Sequence, residues 1–120
     1  MYRIVDTNYA IRYIMQDDIE IARNVKEMID HGARIIPETL VEMTYVLNKG
    51  YKAPRKDVCY ALMDLLDDID IIDKQIYIEA LGIYKDTKLD YVDCILVARY
   101  KLLNDEIYTM DKELKKKLQV

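Results

Sequence analysis

DDIEIARNVKEMIDHGARIIP, residues 17–37, carries two periodicities back to back. In its first part Ile21/Ala22, Val25 and Met28/Ile29 recur at three- and four-residue spacing, the stripe of an amphipathic helix. Asp17 and Asp18 stand at its start and Gly32 stands as its stop. His31, the chain's single histidine, sits at the helix end and complements the dipole there. Histidine-based catalysis would have to run through that one residue. ARIIP (33–37) then reads as a short strand ended by Pro37.

Outward from this stretch the alternation continues. YRIVD (2–6) is a β-rich run and TNYAIRYIM (7–15) turns helical. ETLVEMTYVLNKG (38–50) is a strongly apolar helix closed by Gly50, and YKAPRKD (51–57) is a polar connector. Pro54 fits the first turn of the helix PRKDVCYALMDLLDD (54–68). DIDIID (68–73) alternates like a strand, KQIYIEALGIYKDTK (74–88) is a helix, and another begins near Leu89/Asp90. EIYTM (106–110) reads as a final strand and DKELKKKL (111–118) as a closing helix. Short strands separated by one or two helices predict an α/β sandwich with a mainly parallel sheet. Such sheets present their ligands at the carboxyl ends of the strands.

The 120 residues fit one domain, taken as 1–120, with 52% hydrophobic residues to build its core. No run approaches the ~18 apolar residues of a membrane span. The start, MYRIVDTNYA, lacks the layout of a signal peptide. Cys59 and Cys94 lie in apolar helical contexts and read as reduced core thiols, which points to the cytoplasm. The aromatics are all tyrosine, eleven of them, and buried hydroxyls need partners. A net charge of −4 excludes a broad basic field for nucleic acid but leaves local patches open.

The acids carry the chemistry. LDYVDCILVARY (89–100) sets Asp93 among apolar neighbours, where an ionised carboxylate needs a cation, hydrogen bonds or a shifted pKa. Glu42 is set the same way between Leu40, Val41, Met43, Tyr45, Val46 and Leu47. Asp6 ends the first strand and Asp111 follows the last. Each has a plainer reading: Asp6, Asp90 and Asp111 as helix caps, and Asp93 as the acid of a capping box. For Glu42 it is a buried ion pair with Arg12 or Arg99. Clustered carboxylates without His or Cys suit Mg²⁺ or Mn²⁺, the ions of phosphodiester hydrolysis.

VDTNYAIRYI (5–14), IPETLVEMTYVL (36–47), LDYVDCILVARY (89–100) and YTMDKELKK (108–116) resemble, in order and spacing, the PIN-domain ribonucleases, particularly toxins of the VapC type. YKAPRKDV (51–58) resembles the family's phrase between its third and fourth helices. The resemblance implies a three-layer α/β/α sandwich with a five-stranded, mainly parallel sheet, and Mg²⁺- or Mn²⁺-dependent endoribonuclease activity. It implies Asp6, Glu42 and Asp93 as the principal catalytic and metal-holding acids and Asp111 as the more variable fourth. Asn8 matches the polar residue that hydrogen-bonds within the acidic pocket, and Asp90 is auxiliary. RNA substrate, a homodimer and a small antitoxin protein are the implied partners.

An acidic cleft on RNA also needs cations, for which Arg12, Lys49, Lys52, Arg55, Lys56, Arg99 and Lys112 are candidates, Arg12 first because it lies in the resembling motif. Two other readings stand beside this one. A receiver-type phosphoacceptor domain shares the size and an acidic Mg²⁺ pocket, but would want paired acids after the first strand, where Thr7 follows Asp6. A non-toxin PIN nuclease or RNA-processing module would keep the fold and change the role.

Overall fold

The computed structural model describes residues 1–118; Gln119 and Val120, part of the expected domain, lie outside the described residues. Among the described residues seven α-helices follow one another: α1 (Thr7–Met15), α2 (Ile19–Asp30), α3 (Pro37–Tyr45), α4 (Arg55–Asp68), α5 (Lys74–Asp86), α6 (Tyr91–Leu103) and α7 (Lys112–Leu118). A π-helical turn, Val46–Gly50, extends α3. Every helical stretch read from the sequence is present. α2 starts where Asp18 accepts a hydrogen bond from the Ile21 N–H at 3.1 Å, and buries Ala22 and Val25. It ends where His31 Nδ1 lies 2.7 Å from the Glu27 carbonyl oxygen and Gly32 takes φ +85°. That backbone state suits a residue without a Cβ.

The expected sandwich is not there. Among the described residues β-pairing is confined to two isolated parallel bridges, Ile4 with Arg34 and Arg34 with Asp70. The Val5 N–H donates to the Arg34 carbonyl and the Arg34 N–H to the Arg3 carbonyl, both at 2.9 Å, and the Ile35 N–H donates to Asp70 at 3.0 Å. The five-stranded sheet is therefore corrected to three brief extended segments within a mainly helical domain. Two causes are visible. Each segment is cut short by the helix or turn that follows it: Asp6 caps α1 directly after Val5, Pro37 opens α3, and Asp73 takes φ +53° before α5.

The second cause is coverage. Val5, Ala33, Ile35, Ile69 and Ile71 are buried, whereas the alternate residues Ile4, Asp70 and Ile72 are exposed and Arg34 is half-buried. A parallel sheet needs both faces covered, and here only one is. The other carries Arg34, which pairs with Asp70 at 3.1 Å and stacks on Tyr2 at 3.9 Å. EIYTM, the expected last strand, pairs with nothing among the described residues; Tyr108 is 89% and Met110 94% exposed.

The core is instead helical. α5 packs between α4 and α6, α1 packs on α2 and α3, and α6 also meets α3 and α7. Leu40, Met43, Leu62, Leu66, Leu81 and Val97 are among its fully buried side chains. Cys59 and Cys94 are both free and buried, as the sequence suggested.

Arg55 ties α4 to the turn before α6. It donates from Nε to the Tyr84 carbonyl at 2.8 Å and from Nη2 to the Leu89 carbonyl, with its guanidinium 3.6 Å over the Tyr84 ring. Tyr84 meets Tyr91 edge-on at 6.0 Å, and the Tyr91 hydroxyl donates to the Tyr77 carbonyl at 2.8 Å. Arg55→Ala removes two charge-assisted hydrogen bonds and a cation–π interaction, and is expected to cost ~2–3 kcal/mol in a urea melt. Arg55→Lys, with no planar fork, should recover less than half of that loss.

Candidate active site

Five of the six acids and amides singled out in the sequence stand at helix starts, all but Glu42. Asp6 is the N-cap of α1, its Oδ1 accepting from the Tyr9 N–H at 3.0 Å. Asp111 holds the same position before α7 and accepts from the Leu114 N–H at 3.0 Å. Asp90 precedes α6 but makes no side-chain cap. Asn8 is exposed on the first turn of α1. The capping reading is thus correct for Asp6 and Asp111, and it leaves the second carboxylate oxygen of each available, since a carboxylate offers about four lone-pair sites.

Asp93 lies in the first turn of α6 and is half-buried. Burial raises its pKa above the usual carboxylate range, and the nearby negative charges of Asp111 and Asp90 raise it further. Asp93 therefore feels the charge of two other carboxylates, Asp111 and Asp90.

Glu42 is exposed on α3 and makes no ion pair among the described residues. Its suggested partners are engaged elsewhere: Arg12 pairs with Asp17 at 2.7 Å and Arg99 with Asp105 at 2.8 Å. The buried stripe of this helix is Leu40, Met43 and, into the π turn, Leu47. Glu42 falls off that stripe, on the side that Tyr45 and Lys49 follow at three- and four-residue steps.

Among the described residues no three Asp, Glu, His or Cys side chains stand close enough together to hold a metal ion. The donor set nonetheless suits a hard cation. Mg²⁺ takes one or two carboxylates and completes its shell with water and phosphate oxygens. Asp93 and Asp111 are carboxylates of that kind, and the Asp93 pKa is raised by burial first and by the charges of Asp111 and Asp90 after it.

Neither Lys88 nor Tyr45 is among the candidate site residues read from the sequence. Tyr45 is 69% exposed, and only its place off the Leu40–Met43 stripe signals that.

The PIN domain family model matches residues 3–117, and the chain belongs to that family. No curated protein and no solved structure matches it. PIN domains are generally nucleases and typically use divalent metals. Among the described residues no helix is long and apolar enough to cross a membrane.

Proposed function

We propose that this PIN domain is a Mg²⁺- or Mn²⁺-dependent endoribonuclease. The observation that carries the reading is the family match over residues 3–117, across which all four acids fall. Asp6, Glu42, Asp93 and Asp111 are the acids assigned to the cation, and the charge of Asp111 on Asp93 supports grouping those two. The bound cation would supply charge neutralisation and a more acidic water. Water adds at phosphorus, the bridging P–O bond breaks, and the two RNA ends leave as a phosphate and a hydroxyl. Asn8 and Asp90 are assigned to hold the acids and water in place. Arg12 is the assigned contact to the RNA backbone. Its pairing with Asp17 is a surface ion pair, worth ~0–1 kcal/mol, so a phosphate can displace the carboxylate.

The four-motif resemblance to VapC-type proteins supports a narrower assignment: a cytoplasmic toxin that forms a homodimer and is silenced by a small antitoxin protein. A neighbouring reading frame whose product stops RNA hydrolysis when mixed with this chain would bear that out; no effect from that product would remove the toxin role.

Asp6 separates the two roles a carboxylate can play. Asp6→Ala loses the cap and should cost ~1 kcal/mol of stability. Asp6→Asn caps as well as the parent and removes only the charge. In an assay of Mn²⁺-dependent cleavage of total cellular RNA, the parent is expected to cut, EDTA to stop it, and the well-folded Asp6→Asn to be nearly inactive. Full activity in Asp6→Asn would take Asp6 out of the site.

A further inference from the structure

A cleft of about 360 Å³ opens between the end of α3 with its π turn and the start of α6. Its wall includes Tyr45, Lys49, Arg55, Tyr84, Lys88 and Asp90. In a chain of net charge −4, this cleft sets three cations against one carboxylate. Lys49 and Lys88 form no ion pair among the described residues. Arg55 is held in the wall by the Tyr84 and Leu89 carbonyls, so its charge stays fixed there. Tyr45, the last residue of α3, is 69% exposed. The π turn that follows closes with the Tyr51 N–H on the Val46 carbonyl at 3.0 Å. Such turns insert a residue into a helix and recur at functional sites. Here the turn carries Lys49 to the cleft.

We propose that this cleft is a binding subsite for a nucleotide of single-stranded RNA, with Tyr45 stacking on the base and Lys49 and Lys88 pairing with the flanking phosphates. The proposal rests on the nuclease reading above. A free tyrosine face beside unpaired lysines is the arrangement that holds unstacked bases and tracks a backbone. A paired A-form duplex offers no base face to Tyr45, which selects single strands. Asp93 follows Asp90 by less than one turn of α6, so a nucleotide seated here delivers an adjoining phosphodiester to the acids. Glu42 precedes Tyr45 by three residues on α3, which links the subsite to the acid set from the other wall.

The test is fluorescence polarisation with a short labelled oligouridylate in EDTA, where binding is read without turnover. Each variant is first checked by its circular-dichroism melt. Tyr45→Ala is expected to weaken binding about fivefold or more, and Tyr45→Phe to stay within about twofold of the parent, because the ring alone stacks. The double variant Lys49→Ala/Lys88→Ala should weaken binding and flatten the log–log salt dependence by ~1.4, or ~0.7 for each phosphate no longer neutralised. If the parent binds and all these variants bind equally well, the subsite is overturned while the nuclease reading survives. If the parent itself does not bind single-stranded RNA in EDTA, the subsite is overturned, and the nuclease reading falls only if Mn²⁺-dependent cleavage is absent as well. If polyglutamate displaces the RNA as well as unlabelled RNA does, the cleft takes acidic protein instead, and the proposal is again overturned.

Discussion

Asp93→Asn is expected to lower Mn²⁺-dependent RNA hydrolysis by ~10–100-fold, the scale on which metal sites lose affinity or activity when a supporting residue is removed, and at the same time to firm the metal-free fold. The second effect follows from the sign of the pKa shift. Burial, then Asp111 and Asp90, raise the Asp93 carboxyl above its ordinary value. A raised carboxyl binds its proton more tightly in the folded than in the unfolded chain. Its contribution to stability is therefore present below the unfolded pKa and is lost as pH rises through the folded one. At neutral pH ionised Asp93 is a liability that Asn does not carry. Thermal melts of parent and variant in EDTA should diverge as pH rises through the carboxylate range, with Asn the more stable at pH 7. A variant less stable at neutral pH would mean that Asp93 is needed as a cap.

Leu81→Ala is expected to cost ~3–4 kcal/mol, the loss of a buried leucine and the cavity it leaves. Leu81 is fully buried on α5, the helix that packs against both α4 and α6. Domains of this size hold only ~5–15 kcal/mol in total, so the variant should unfold at a much lower urea concentration with the slope m unchanged. Leu103→Ala is the control: Leu103 is 49% exposed at the end of α6, and its loss should stay within ~0.5 kcal/mol. Equal costs for the two would mean that α5 does not lie at the centre of the core.

The helices were readable because each carries its own evidence. Ile21/Ala22, Val25 and Met28/Ile29 define a face by spacing alone, and Asp18 and Gly32 mark its ends. The sheet was not readable in the same way. YRIVD, ARIIP and DIDIID have the right residues for strands, and they do meet in parallel at Ile4, Arg34 and Asp70. Whether such segments lengthen into a sheet depends on what covers their second face, and no local pattern encodes that. Glu42 shows the same limit. Its neighbours in sequence are nearly all apolar, which suggested burial, yet a helix sorts neighbours by angle. Leu40 and Met43 point inward and Glu42 does not. Asp93 was read as a carboxylate that needs a cation, hydrogen bonds or a shifted pKa. Its pKa is raised, by burial first and then by Asp111 and Asp90, and of these Asp111, distant in sequence, required the fold.

The central claim is that acids of this PIN domain, Asp93 among them, hold a divalent cation. Calorimetric titration of Mn²⁺ into the parent and into Asp93→Asn tests it without any choice of RNA. The parent is predicted to bind and the variant to lose at least ~10-fold in affinity. Equal binding by both, or binding by neither, would contradict the account and leave Asp93 as a half-buried acid at the start of a helix.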